Sequence, residues 1–244
     1  MTNHRFAGCL ALVAASACGA ASGAAKPKPL RYHFDQQHLA SVPPEGKADL
    51  QAARAEYDRA VQENRKAESD WANSKRAIET AEREASRAHK RKEAADSASS
   101  AAEDSKDWNR SNRAKRDRRV AEVTARAADQ KVDVEKARRS WLEKHVQYTR
   151  ENVYAAEARF ELAKAGVARA HNIAPPDFAY QAYVDQNQLR QRKADELKGP
   201  ADSAREALKE EQKDYQAKRR DENEARGIDT AATSTRSANP DEDK

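Results

Sequence analysis

The chain has 244 residues, of which 36% are charged and 38% hydrophobic but only 6% aromatic, with 46 basic side chains against 41 acidic ones. Much of the hydrophobic share is alanine, which excludes a large globular core and leaves either disorder or long helix held by narrow seams. Ala, Glu, Lys, Arg and Gln are strong helix formers and favour helix. Basic runs occur, at Arg87–Lys92 and Arg113–Arg119. Because Asp and Glu interleave throughout the chain, they read as solvated helix faces rather than as a nucleic-acid surface.

Residues 1–17 carry the pattern of an export signal. Arg5 provides a positive start, and Phe6 to Ala17 is a small-residue apolar stretch, shorter than the roughly 20 residues needed to span a bilayer. The stretch closes Ala15-Ser16-Ala17-Cys18-Gly19. Small residues at the third and first positions before the cut suit a signal peptidase and predict cleavage between Ala17 and Cys18. The Cys directly after them resembles a bacterial lipobox, although Ala15 stands where lipoboxes usually carry Leu. The resemblance covers only these few residues. It implies a Cys18 thioether-linked to diacylglycerol and N-acylated, hence a lipid anchor, with Gly19 after it permitting outer-membrane delivery and a body in the periplasm. A plain secretory signal, cut at the same bond and releasing a soluble periplasmic protein, is the alternative. The chain's two cysteines are Cys9, inside the signal, and Cys18, so the body has none for a disulfide or a Cys-ligated zinc site.

Residues 18–46 contain Pro27, Pro29, Pro43 and Pro44 with several glycines and alanines and read as a flexible tether. The helical body is expected over 47–225. Between Lys47 and Ala165 there is neither glycine nor proline, the two residues that punctuate helices. Leu50, Tyr57, Asn64, Trp71, Ile78 and Ala85 recur every seven residues, each followed three residues later by Ala53, Ala60, Ala67, Ser74, Ala81 and Ala88. This is a coiled-coil seam with large residues at one core position and small ones at the other, which lets two helices approach closely.

The same phase returns at Val120, Ala127, Val134, Trp141, Tyr148, Ala155 and Leu162, after a polar lapse at Lys92, Ser99, Lys106 and Arg113. The lapse predicts a turn within 97–106, with Asp104 or Ser105 capping the next helix. One continuous helix over 47–171 is the alternative. A hairpin would bring Trp71 and Trp141 to similar heights. Val146, Val153, Phe160 and Val167 form a second stripe on the middle helix, which calls for a second partner. That partner follows the break at Asn172 to Pro176, with Asp177 as its cap and a seam of Ala194, Leu197, Ala201, Ala204, Leu208 and Tyr215. The expected fold is therefore all-α: three long antiparallel coiled-coil helices running up-down-up, over about 47–98, 106–172 and 177–225. Gly199-Pro200 is expected to kink or interrupt the third helix. Residues 226–244 read as a disordered tail.

No constellation for catalysis emerges. His4, His33, His38, His89, His145 and His171 are scattered, without a second His or Cys at ligand spacing, so neither a metal nor another cofactor is expected. Glycine-rich phosphate loops are missing, Ser140 has charged neighbours by density alone, and a rod offers little of the concavity that enzymes use. An enzyme is not expected. The chain ends Asp241-Glu242-Asp243-Lys244. It is similar to the small helical lipoproteins that tether outer membrane to cell wall in having a lipobox, a helical rod and a terminal Lys. That likeness implies peptidoglycan attachment through the Lys244 side chain. It departs from them in length, in its three helices and in the acids before the Lys.

The expected function is that of a lipid-anchored helical scaffold or tether of the cell envelope, engaging another envelope protein or peptidoglycan. Homo-oligomerisation through the helical seams remains open. Two alternatives stand beside it. One resembles the basic periplasmic holdase chaperones, whose helical hairpins surround unfolded clients. The other is an accessory hairpin of an envelope transport complex.

Overall fold

A computed structural model describes residues 28–227. Two short 3-10 turns, Gln36–Leu39 and Pro44–Lys47, precede three helices: α1 (Ala48–Asp104), α2 (Trp108–Ala170) and α3 (Tyr180–Ala225). Among the described residues there is no strand. The longest helix, α2, has 63 residues and extends about 95 Å at 1.5 Å per residue. The helices run up-down-up. α1 and α3 each line α2 and make little contact with one another, so α2 is the spine. We call the end at the α2–α3 connection the base and the end at the α1–α2 turn the tip.

The α1–α2 interface follows the heptad seam. Ala53, Ala60, Ala67, Ser74, Ala81 and Ala88 are all buried, as are Leu50 and Ala85. Tyr57, Asn64 and Ile78 are half-buried, while Trp71 is left 40% exposed. Small residues bring the backbones close, so the bulkier residues of the alternate position are pushed to the rim, where they meet α2 side chains. Thr149 Oγ1 donates to Asn64 Oδ1 at 3.1 Å, and Arg139 lies over the Trp71 ring. Cross-helix ion pairs mark the register: Glu56–Arg159, Glu68–Arg150, Glu84–Lys131 and Asp96–Arg118. Residue 71 thus lies opposite the stretch holding Trp141, as the hairpin reading requires.

The polar lapse ends in a hairpin, not a continuous helix, but the turn is later and tighter than expected. α1 continues through the serine-rich stretch to Asp104. Ser97 and Ser100 bond back to the carbonyls of Glu93 and Asp96, and Ser99 and Ala102 are buried. Small residues thus prolong the close approach where large apolar ones are missing. The turn is confined to Ser105–Asp107, with Lys106 at φ 56°. The cap is Asp107, not Asp104 or Ser105: its carboxylate accepts the backbone N–H groups of Asn109 and Arg110, satisfying two of the orphan donors of α2.

At the base, α2 closes with Asn172 at φ 53°. Ile173 N–H donates to Ala168 C=O and Asn172 N–H to Arg169 C=O, the paired bonds of a Schellman closure with Asn at the left-handed position. Asp177 does not cap α3. That helix begins at Tyr180 without a side-chain cap, because Phe178 N–H turns back to Pro175 C=O and the Phe178 ring is drawn into the basal core. Gly199-Pro200 does not interrupt α3, which is one helix from Tyr180 to Ala225. Residues 195, 196 and 198–200 are exposed, so the Glu196 carbonyl left without its N–H partner by Pro200 faces water.

The largest departure concerns the tether. Its described part, residues 28–46, is not a free linker. Leu30, Phe34, Leu39 and Val42 are all buried, at 6% exposure or less. The physical reason is that these apolar residues, too few for a core of their own, find a ready surface where α2 and α3 splay around the connecting loop.

Candidate functional site at the base of the rod

Residues 28–34 lie along the start of α3, running towards the base. Gln186 acts as a template for this stretch. Its Oε1 accepts the backbone N–H groups of Arg31 and Tyr32, both at 2.9 Å, and its Nε2 donates to the Tyr32 carbonyl at 2.9 Å. The Tyr183 hydroxyl donates to the His33 carbonyl at 3.2 Å. Phe34 N–H donates to Glu161 Oε2 at 2.7 Å, and Lys164 Nζ donates to the other oxygen of the same carboxylate at 2.7 Å. Arg190 donates to Glu151 at 2.8 Å and also reaches the carbonyl of Lys28. Buried polar groups of α2 and α3 thereby take up the backbone groups of the entering chain, as burial demands.

Around this clamp lies the main apolar cluster. Phe34, Leu39, Val42, Leu50, Ala53, Phe160, Val167 and Ala168 are buried together, with Phe178 and Tyr180 packed against them. Phe34 meets Phe178 edge-on, with ring centroids 5.7 Å apart, and Tyr57 stacks on Phe160 at 6.4 Å. Each fully buried side chain of this kind contributes about 1.5–3 kcal/mol, which offsets the entropy of ordering the segment. Asp35 starts the first 3-10 turn by accepting the Gln37 N–H, and Pro43-Pro44 direct the chain into α1.

Burial shifts ionisable groups here. Desolvation raises the Glu157 carboxyl above its ordinary value; the nearby His33 opposes this and Glu161 reinforces it. Desolvation, then Glu161, raises the Tyr183 phenol. An open cleft of about 300 Å³ beside the cluster is walled by Tyr32, Phe34, Phe178 and Tyr183, with His33 and Asp35 at its rim.

The residues singled out from sequence are distributed as follows. Ala17, Cys18 and Lys244 lie outside the described residues. His33 is held by the Leu30 carbonyl at 3.2 Å, and His38 stands edge-on to Phe34. His89 pairs with Asp129 across the α1–α2 interface at 2.8 Å. His145 is stacked on Trp141 and faces Tyr148; desolvation lowers its pKa. His171 ends α2. Among the described residues no three metal-binding side chains gather, and no helix is long and apolar enough to cross a membrane.

Sequence reasoning passed over Gln186, Arg190, Glu151 and Glu161, which hold the entering chain. The signal that would have found them is the density of Leu30, Tyr32, Phe34, Leu39 and Val42 in a stretch assigned to a linker. At the far end of α3, Glu222 is only 2% exposed; it accepts from Thr124 and pairs with Arg219 and Arg226, tying the end of α3 to α2. The arrangement at the base is a joint between the entering chain and α2 and α3. No family model, curated protein or solved structure matches the chain.

Proposed function

We propose that the chain is a helical spacer of the bacterial cell envelope, lipid-anchored through Cys18 in the outer membrane, with its rod in the periplasm and no catalytic role. The observation that carries this reading is the clamp at the base. The chain leading from Cys18 is locked to α2 and α3 by Gln186, Glu161 and Arg190, so a pull on the tether passes into the rod. The chain leaves the rod again near Thr124, against which Arg226 rests. Lys28 lies beside Arg190, so the two exits are separated by 36 residues of α3, or about 54 Å. Such a rod would hold an envelope partner, another protein or peptidoglycan, at a set distance from the anchor.

The test is the intact mass of the protein extracted from membranes after muramidase digestion. A mass beginning at Cys18 with acyl chains added is expected, and Cys18→Ser should move the protein to the soluble fraction. A muropeptide added at Lys244 would extend the reading to a covalent wall tether. An unmodified mass beginning at Cys18 would make it a free periplasmic protein, and one beginning at Met1 would remove the export reading altogether.

A further inference from the structure

We infer that the tip of the rod is a docking surface for an anionic lipid bilayer. Residues 87–119 carry eleven Lys and Arg against six Asp and Glu, an excess as large as the net +5 of the whole chain. The fold gathers that excess at one end. α3 stops beside Thr124, so α2 from Trp108 onward projects about 24 Å further with α1 as its helical neighbour. Half of the six acids are already committed. Asp96 pairs with Lys92 and Arg118, Glu103 pairs with Lys115, and Asp107 is turned into the α2 cap.

Lys106, Arg110, Arg113, Arg116 and Arg119 are exposed. None of these five has an acidic partner among the described residues. At the outermost point, as the first residue of α2, stands Trp108, 75% exposed and the most exposed large hydrophobic residue described. Cations attract an anionic surface but do not explain a solvated indole. Indole settles at the boundary between headgroups and acyl chains, where its ring is desolvated while its N–H stays hydrogen-bonded. A basic cluster crowned by a projecting Trp fits an anionic bilayer better than a nucleic acid, which would meet the cations without needing the indole at the apex.

The inference is independent of the lipid anchor, and its test is arranged accordingly. Full-length chain carrying Cys18→Ser, which cannot be acylated, is mixed with vesicles of equal parts phosphatidylglycerol and phosphatidylcholine, or of phosphatidylcholine alone, and bound protein is measured by flotation. Binding is expected on the anionic vesicles only, weakening as salt is raised, with a blue shift of tryptophan emission. Each cation near an anionic surface strengthens binding roughly fivefold, so the triple variant Arg110→Gln, Arg113→Gln, Arg116→Gln should lose on the order of a hundredfold. Trp108→Phe should abolish the blue shift while Trp71 and Trp141 remain. The control triple Arg65→Gln, Lys66→Gln, Arg76→Gln, on exposed positions of α1, should bind as the parent does. All these positions are on the surface, and circular dichroism confirms that the helices are intact. Equal binding to both vesicle types, retention by the Arg110 triple, or capture of a short DNA duplex without capture of anionic vesicles would each overturn the inference.

Discussion

Arg190 of α3 and Glu151 of α2 form an ion pair at 2.8 Å with both side chains only 7% exposed. The same guanidinium reaches the Lys28 carbonyl and lies over the Tyr154 ring at 5.1 Å. One side chain therefore joins two helices and the entering N-terminal segment. Removing one partner of such a pair strands a buried charge, which costs about 3–5 kcal/mol. Arg190→Ala should lower the unfolding free energy by that order in urea denaturation and expose residues 28–34 to early hydrogen exchange. The double variant Arg190→Met, Glu151→Leu should recover most of the stability, because two apolar groups replace two charges, while leaving the segment less protected. Full protection of residues 28–34 in Arg190→Ala would show that Gln186 and Glu161 suffice as the clamp.

Two half-buried groups set opposite pH dependences. The folded pKa of His145 is below the ordinary 6.5 because burial disfavours the imidazolium. Its contribution is fully present above 6.5 and is lost as pH falls through the lowered folded value. Glu157 is the reverse. Its folded pKa lies above the ordinary 4.5, so its contribution is present below 4.5 and is lost as pH rises through the raised value. Glu157→Gln should therefore raise Tm at neutral pH, and the gain should vanish in acid near 4.5. His145→Phe should flatten the decline in Tm on moving from neutral to mildly acidic buffer. A Glu157→Gln gain that is unchanged in acid would place its cause outside the ionisation of that carboxyl.

The alanine seam sets the spacing of α1 and α2. Ala81 is fully buried against α2, in a small cluster with Ala85 and Val132. Ala81→Leu inserts three methylene-sized groups into a close-packed contact and should cost about 1–3 kcal/mol. Ala52→Leu, on an exposed face of the same helix, should change stability by less than about 0.5 kcal/mol. Equal effects at the two positions would mean that the seam is loosely packed.

Gly199 lies inside α3, and apart from its own helical turn and Pro200 no atom comes within 4 Å of where its Cβ would be. Gly199→Ala restricts the unfolded chain, worth about 0.5–1 kcal/mol, but its Cβ meets the ring of Pro200, which disfavours helical backbone in the residue before it; the two effects oppose, and Tm should change little. Thermal unfolding reads this directly; a fall in Tm would indicate that α3 needs the flexibility next to Pro200.

The three helices were legible because their signal is redundant. Ala53, Ala60, Ala67, Ala81 and Ala88 repeat one instruction at heptad spacing, and the long absence of glycine and proline from Lys47 to Ala165 leaves the helix uninterrupted. The ends were less legible. The choice of Asp107 over Asp104 as cap depends on where the last small residues, Ser99 and Ala102, cease to pack against α2. Likewise Asp177 gave way because Phe178 is pulled into the basal core, a cost that no capping rule weighs. None of this reaches Ala17, Cys18 or Lys244, which lie outside the described residues.

The sequence by itself determined the class of structure, the number of helices and which face of each is buried. Periodicity and composition are local properties that a chain cannot hide. The tertiary structure alone decided that residues 28–47 belong to the body, that Gln186, Glu161 and Arg190 converge on them, and that the cations of two separate helices meet at one end. These depend on pairings more than a hundred residues apart for the clamp, and on the point where α3 stops for the tip. Long-range pairing is set by the register of packed helices, which emerges only when all three seams are satisfied together.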